Sequence, residues 1–267
     1  MKKVVLITGG SSGIGKSVGE FLTQKGFIVY GTSRDSSKIK EHPFKLVSLD
    51  VNDTETISKA VVEVIANEGR LDILINNAGM GITGPIEETP TNEMRKVFNT
   101  NLFGAIDVMK AVLPQMRTQK SGLIINVTSI AGYMGLPFRG IYSATKGALE
   151  IVTEAIRMEV KSFGIEVTNV APGDFATNIA SGRYHTPVFE NSPYKETYQS
   201  NLDLMDAHVN SGSDPIEMAK AIHKIINTKK PKIHYKVGDF MQKFSIVLKK
   251  ILPDIVYEKL LMNHYKL

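Results

Sequence analysis

Val4-Val5-Leu6-Ile7-Thr8-Gly9-Gly10-Ser11-Ser12-Gly13-Ile14-Gly15-Lys16-Ser17 decides how this chain folds, and it fits two patterns at once. Taken from Gly10, it spells Gly-x-x-x-x-Gly-Lys-Ser, the P-loop that cradles the phosphates of ATP or GTP. Taken from Thr8, it spells Thr8-Gly9-x-x-x-Gly13-x-Gly15, a glycine-rich dinucleotide turn. Both patterns run a strand into a tight turn and a helix, whose first backbone N–H groups face phosphate. Residues elsewhere must separate them.

Length and composition set the frame. The chain has 267 residues, 42% hydrophobic and 22% charged, which suits a soluble globular fold with a sizeable core. It has no cysteine, so disulfides, thiolate metal sites and cysteine nucleophiles are excluded. The opening apolar run ends at Thr8, shorter than the ~7–15 residues of a signal-peptide core. No segment reaches the ~20 apolar residues of a membrane span, and a cytoplasmic protein is expected. The net charge of +5 is uneven: Lys229–Leu267 holds nine lysines against Asp239, Asp254 and Glu258, a local +6 that leaves the body at −1. A nucleic-acid partner is therefore not expected, and only the tail needs an explanation.

Short β-branched runs alternate with helical patterns. Strands are expected at Val4–Thr8, Phe27–Ser33, Lys45–Leu49, Leu71–Asn76, Leu123–Thr128, Glu166–Ala171 and Lys232–Val237. Helices are expected near Gly15–Lys25, Thr54–Glu68, Asn92–Met116, Tyr142–Phe163 and Pro215–Asn227, the last capped by Ser213 or Asp214. Regular β–α alternation predicts an α/β fold with one doubly wound parallel sheet of about seven strands. The domain spans residues 1–238. It includes a polar, weakly periodic stretch, Asp174–Gly212, that is read as a substrate lid. Residues 239–267 form a C-terminal amphipathic helical extension.

The two readings of the first turn make different demands. A P-loop protein also needs an Asp at a strand end to hold Mg²⁺, and Asp50 is an imitation of one. A dinucleotide site needs ribose-recognising side chains at the end of the second strand, about 20 residues past the glycines. Ser33-Arg34-Asp35 stands there, with Arg34 nineteen residues after Gly15. A guanidinium at this place can pair with a 2′-phosphate, where a carboxylate would accept from a free 2′-OH.

Further along, Tyr142 and Lys146 lie four residues apart, on one face of the same helix. An ammonium beside a phenol favours the phenolate, and such a pair can exchange a proton with an alcohol or carbonyl oxygen. Ser129 ends the fifth strand thirteen residues earlier and can offer its hydroxyl to that oxygen. Asn76-Asn77-Ala78-Gly79 ends the fourth strand, and Asn101 lies within an expected helix.

These elements, with Pro172-Gly173, stand in the order and spacing of the short-chain dehydrogenase/reductase family, which the chain resembles from about Val4 to Val237. The resemblance demotes the P-loop match to coincidence and leaves Lys16 on the surface. It implies a single-domain Rossmann-type fold and a catalytic set of Asn101, Ser129, Tyr142 and Lys146. Tyr142 would be the proton donor in reduction and the base in oxidation. Lys146 would support it and bond the nicotinamide ribose, Ser129 would polarise the carbonyl, and Asn101 would help hold a water relay toward Lys146. Cofactor contacts are implied for Thr8, Gly9, Ser11, Ser12, Gly13, Ile14, Gly15, Ser33, Arg34, Asp50, Val51, Asn77, Ala78, Gly79, Tyr142, Lys146, Pro172, Gly173 and Thr177. Ser33-Arg34 resembles the NADP(H)-preferring pattern, while Asp35 keeps NAD(H) as the alternative. No metal is implied.

Gly132–Phe138 is similar to the corresponding stretch of the hydroxysteroid and retinol dehydrogenases of this family. With Phe175, Ile179, Val188 and Phe189 from the lid, it predicts an apolar pocket for a bulky alcohol or ketone of steroid, retinoid or lipid type. Ser129, Tyr142, Met134 and Phe175 are the expected substrate contacts. Two alternatives stay open: a reductase of small polar ketones, and a non-catalytic dinucleotide-sensing protein of the same fold. The tail interleaves Phe244, Val247, Leu248, Ile251, Leu252, Ile255, Leu260 and Leu261 with lysines, and Pro253 divides it in two. It is expected to pack on its own domain or on a neighbouring subunit, with peripheral contact to an anionic membrane as the alternative. The resemblance also implies a homodimer or homotetramer, paired through the helices near Asn92–Met116 and Tyr142–Phe163.

Overall fold

Val4–Ile7 forms strand β1 with all four side chains buried, and a parallel sheet extends from both of its edges. This is a computed structural model that describes residues 1–39, 41–175, 182–210 and 212–267, with backbone alone for 206–210. After helix α1 (Gly13–Gln24), β2 (Ile28–Ser33) and β3 (Lys45–Ser48) pair outward on one side. Helix α2 (Thr54–Glu68) then carries the chain back across β1 to β4 (Ile73–Asn76). A short β5 (Ile82–Thr83), α3 (Thr91–Phe98) and α4 (Gly104–Gln119) precede β6 (Gly122–Val127); α5 (Gly140–Val160) precedes β7 (Ile165–Pro172). Then come β8 (Tyr184–His185), α6 (Lys195–Asn210), α7 (Pro215–Ile226), β9 (His234–Val237), α8 (Phe240–Ile251) and α9 (Asp254–Tyr265). The sheet order is β3-β2-β1-β4-β6-β7-β9, the Rossmann-type doubly wound architecture expected from the alternation. The strand order reverses between β1 and β4, where open α/β sheets form their ligand crevice.

The strands are apolar on both faces because helices cover both. Val4, Leu6, Leu74 and Ile124 join Val61 and Val64 of α2 and Val108 and Val112 of α4 in one core. The alternate residues Val5, Ile7, Ile73, Ile75 and Ile125 meet Val18 and Leu22 of α1 and Met218 and Ile222 of α7. Asp214, with Pro215 behind it, caps α7 by accepting from the Ile216 amide at 2.9 Å.

A polar belt crosses this apolar sheet. Asn76, Asn126, Asn169 and His234 stand in register on β4, β6, β7 and β9. Asn76 donates to Asn126 at 3.0 Å and Asn126 to Thr153 of α5 at 2.8 Å. Buried amides are costly unless bonded, so these contacts fix the strand register and seat α5 on the sheet.

Two expectations need correction. The helix expected over Asn92–Met116 is interrupted by one wide π-turn, Asn99–Phe103, whose last bond runs from the Gly104 amide back to Asn99. Gly104 packs hard against Val51 there; an added Cβ would stand 2.8 Å from the Val51 carbonyl oxygen. The stretch from Asp174 to Gly212 is less irregular than its composition suggests. It contains β8, paired in parallel with β5 in a two-stranded ribbon, and the sixteen-residue α6. The buried Tyr198 hydroxyl of α6 reaches the Thr83 and Thr186 carbonyls at 3.1 Å, locking the ribbon to the helix. The tail, expected to pack on its own domain or on a neighbouring subunit, packs on its own chain: Ile246 of α8 and Tyr257 of α9 bury against Ile130, Met134 and Ala171. Asn201 of α6 donates to the Tyr265 carbonyl at 3.1 Å, tying α6 to the end of α9. Among the described residues no helix is long and apolar enough to cross a membrane.

Candidate active site

The turn after β1 is built for close approach. Gly9 and Gly13 have φ of +64° and +52°, backbone that side-chain-bearing residues rarely adopt. Gly15 lies against the turn so tightly that a Cβ there would meet the Gly9 carbonyl oxygen at 2.3 Å. The Thr8 hydroxyl accepts from the amides of Asn77 and Ala78 at 2.9 and 3.0 Å, drawing the end of β4 alongside β1. Asn77 returns its amide to the Thr8 carbonyl at 3.0 Å. Thr8 and Gly15, both expected cofactor contacts, therefore stand behind the wall and shape it.

That wall bounds a cavity of about 470 Å³ at the strand-order reversal. Gly9, Ser11, Ser12, Gly13, Ile14, Ser33, Arg34, Asp50, Val51, Asn77, Ala78 and Gly79 line it, as expected, joined by Thr32, Leu49, Asn52, Met80 and Thr100. Three facts separate the two readings of the opening turn. Lys16 points outward, 3.8 Å from Glu20 in an exposed pair, and does not line the cavity. Arg34 does line it and is exposed, with no acidic partner among the described residues. Asp35 is turned away: it accepts from the Ser37 amide and hydroxyl at 3.2 and 2.5 Å and pairs with Lys38 at 3.0 Å. The carboxylate that kept NAD(H) in play is thus committed elsewhere. The chemistry of this cavity, glycine backbone at a helix N-terminus with a guanidinium at the end of β2, fits a dinucleotide carrying an extra phosphate.

Ser129, Tyr142 and Lys146 converge one strand over. Ser129 caps a short turn after β6 by accepting from the Ala131 amide at 3.1 Å. Two glycines bring this turn onto α5: a Cβ at Gly132 would touch the Gly147 nitrogen at 3.0 Å, and one at Gly147 the Gly132 oxygen at 2.8 Å. Tyr142, on the first turn of α5, shares a small cavity of about 70 Å³ with Ser129, Pro172, Gly173 and Phe175. The Lys146 ammonium lies 6.0 Å from the Tyr142 ring centroid, so the i, i+4 spacing does put them on one face. It is buried and donates to the Val127 carbonyl at 3.0 Å. Burial pulls its pKa below the ordinary lysine value, against the opposing pull of Tyr142 and Glu150.

Asn101, fully buried in the π-turn, does not bond its own helix. Its Oδ1 accepts from the Met80 amide at 2.8 Å, and its amide donates to the Met80 carbonyl at 2.9 Å and to Thr145 at 3.1 Å. A Cβ on Gly79 would come within 3.2 Å of Asn101 Oδ1 and 3.4 Å of Lys146 Nζ, so both groups close on that glycine. Ile14 lines both the nucleotide-side cavity and the small one beside Tyr142.

A third, larger space opens past Ser129. Its volume is about 690 Å³, and it shares Ser129, Arg139, Gly173 and Asp174 with the small cavity. Met134 and Leu136 line it, as expected, with Ile130 and Ala131 beside them, and the tail adds Met241, Leu248, Tyr257, Leu260 and Leu261 to its apolar wall. Phe138, Val188 and Phe189 line none of the three cavities. Phe138 has φ +55° and turns its ring onto Tyr198, 5.2 Å between centroids, and Phe189 is exposed. Thr177 and Ile179 lie outside the described residues.

Two groups were missed in the sequence. Arg139 lies 5.6 Å from the Tyr142 ring centroid and stands at the junction of the two cavities. Glu150, one turn beyond Lys146, is buried and accepts from Thr128, from Tyr133 at 2.8 Å and from Asn169 at 3.3 Å, and it pairs with His234 at 2.8 Å. Burial and the Glu150 charge together push the Tyr133 phenol well above its usual range. The i, i+4 step from Lys146 was the available signal for Glu150.

Comparison with known proteins agrees with this geometry. The short-chain dehydrogenase family model matches residues 3–187. The chain belongs to the short-chain dehydrogenase family. A 3-ketodihydrosphingosine reductase of Bacteroides thetaiotaomicron is 39% identical to this dehydrogenase over 264 residues, 98% of each chain. A probable short-chain dehydrogenase/reductase of Helicobacter pylori is 30% identical over 260 residues, 96% of each. Among solved structures, a short-chain dehydrogenase from Streptomyces avermitilis superposes with a TM-score of 0.85 at 32% identity, covering 100% of this chain and 97% of its own. The NADP-bound enzyme ElxO superposes with a TM-score of 0.72 at 30% identity, covering 89% and 97%. The dehydrogenase is thus an NAD(P)-dependent oxidoreductase by family.

Proposed function

We propose that this dehydrogenase is an NADPH-dependent reductase of a long-chain lipid ketone, of the 3-ketodihydrosphingosine type. The observation that carries the reading is the junction at Ser129: the Tyr142 cavity opens there into a large chamber walled by apolar side chains of α8 and α9. The similarity to the Bacteroides reductase extends through that same tail, since it spans 98% of both chains. NADP-bound relatives and the Arg34 guanidinium on the cavity wall support the phosphorylated cofactor.

Ser11, Ser12, Gly13 and Ile14 would hold the cofactor phosphates, Arg34 the 2′-phosphate, and Asp50 and Val51 the adenine. When bound, the cofactor supplies the hydride that reduces the carbonyl carbon. The protein handles the oxygen. Ser129 donates a hydrogen bond to the ketone oxygen, and Tyr142 gives it a proton as the C=O π bond becomes a C–H and an O–H bond. Lys146 sits beside that phenol, and Asn101, braced by Met80 and Thr145, holds the water that returns the proton. Ile130, Met134, Leu136 and the α9 leucines take the hydrocarbon chain out of water.

Rates on a homologous series of 3-keto lipids test this reading. Each methylene that enters the chamber is worth about 0.8 kcal/mol, so kcat/KM should rise about threefold to fourfold per carbon until the chamber is filled. Equal or faster turnover of small sugar ketones or acyl-thioester ketones contradicts it. Arg34→Ala should raise the KM for NADPH about tenfold to a hundredfold and leave NADH unchanged; equal losses for both cofactors would remove Arg34 from the 2′-phosphate role.

A further inference from the structure

Helix α8 is apolar on two faces. Ile246 and Leu248 pack inward with Ile130 and Met134. Phe240, Phe244, Val247 and Ile251 recur at the i, i+4, i+7, i+11 spacing of a separate stripe, and all four are exposed. Phe240 and Ile251 are 69% and 73% exposed, and the Phe240 and Phe244 rings stack at 5.7 Å. Ile255, Val256, Leu260 and Met262 of α9 are exposed as well. A run of large apolar side chains in water is what marks an interaction face.

Two observations say what covers it. The first is charge: the segment from Lys229 to Leu267 carries a net +6. Lys243 and Lys250 fall one turn-width from the exposed stripe, and Lys259 and Lys266 of α9 are exposed. A second copy of this face would bring the same lysines together, whereas an anionic surface attracts them. The second is continuity: Met241 and Leu260 are exposed and also line the large chamber, so the chamber opens where the apolar stripe lies.

We infer that α8 and α9 dock the enzyme on an anionic lipid bilayer, with Phe240, Phe244, Val247 and Ile251 in the interface and the lysines among the headgroups. The mouth of the chamber then faces the membrane, and a lipid ketone enters without crossing water. The inference deepens the lipid-ketone reading and rests on it for its purpose. Vesicle binding measured without substrate or NADPH separates failure of the docking from failure of that reading.

Full-length protein is co-sedimented with vesicles of phosphatidylcholine alone and of phosphatidylcholine mixed equally with phosphatidylglycerol. The wild type should pellet with the anionic vesicles and be released by high salt. The triple variant F240S/F244S/I251S, altered only at exposed positions outside the chamber wall, should lose about tenfold in bound fraction. It should keep the wild-type Tm, NADPH binding and turnover of a short soluble ketone. K243Q/K250Q should weaken binding to anionic vesicles alone. Failure of the wild type to pellet with either vesicle overturns the inference. So does light scattering that shows the wild type self-associating through this face and the triple variant not doing so.

Discussion

Tyr142→Phe is expected to reduce kcat for ketone reduction by about a thousandfold while the Kd for NADPH changes less than about twofold, within the 10²–10⁴ range of a lost general acid. The two effects separate because the ring and the hydroxyl do different jobs. The ring has the Arg139 guanidinium 5.6 Å and the Lys146 ammonium 6.0 Å from its centroid, and phenylalanine keeps both contacts. The hydroxyl is the proton source in the proposed mechanism, and Ser129, which shares the small cavity, can donate a hydrogen bond but is too weak an acid to replace it. Single-turnover absorbance at 340 nm gives the chemical step, and fluorescence titration gives the Kd. A variant within about threefold of wild-type kcat would show that the phenol is a bystander.

Lys146→Met should lose both chemistry and cofactor affinity, about a hundredfold in kcat and about tenfold in Kd for NADPH. Methionine fills the same buried space without the charge that Tyr142 and Glu150 favour or the hydrogen bond to Val127. The pattern differs from that of Tyr142→Phe, in which binding survives. A pH effect on stability follows too. Burial holds the folded-state pKa of Lys146 below its ordinary 10.5, so the unfolded chain binds more protons between those values. The lysine's contribution to stability therefore rises with pH across that window and is lost as pH falls through the folded-state value. The difference in ΔG of unfolding between the wild type and Lys146→Met should shift in favour of the wild type as pH is raised toward 10.5. A difference that is flat with pH contradicts the burial argument.

Much of this arrangement could be read from the chain because short-range rules were strong where they mattered. The four-residue β1 and the glycines after it form a local motif, and Tyr142 and Lys146 are set by helix periodicity alone. Arg34 against Asp35 was a question of which side chain the backbone turned toward the cavity, and Ser37 with Lys38 answered it by capturing the carboxylate. What stayed hidden was long-range. Phe138 looked like a pocket residue, but its positive φ swings the ring to Tyr198, and no pattern of non-glycine residues announces such a backbone. The two-residue strands β5 and β8 are too short to show a period. Part of the chamber wall comes from tail side chains more than a hundred residues beyond Ser129, and whether that tail packs on its own domain or on a neighbouring subunit shows only once its inner face is seen against Met134.

The most direct test of the central claim uses NADPH carrying deuterium at both C4 positions with a long-chain 3-keto lipid and the purified enzyme. Mass spectrometry should find one deuterium on the carbinol carbon of each alcohol formed by the wild type, at a rate about a thousandfold slower in Tyr142→Phe. Alcohol without the label, or labelled alcohol formed equally fast by the variant, would contradict the account.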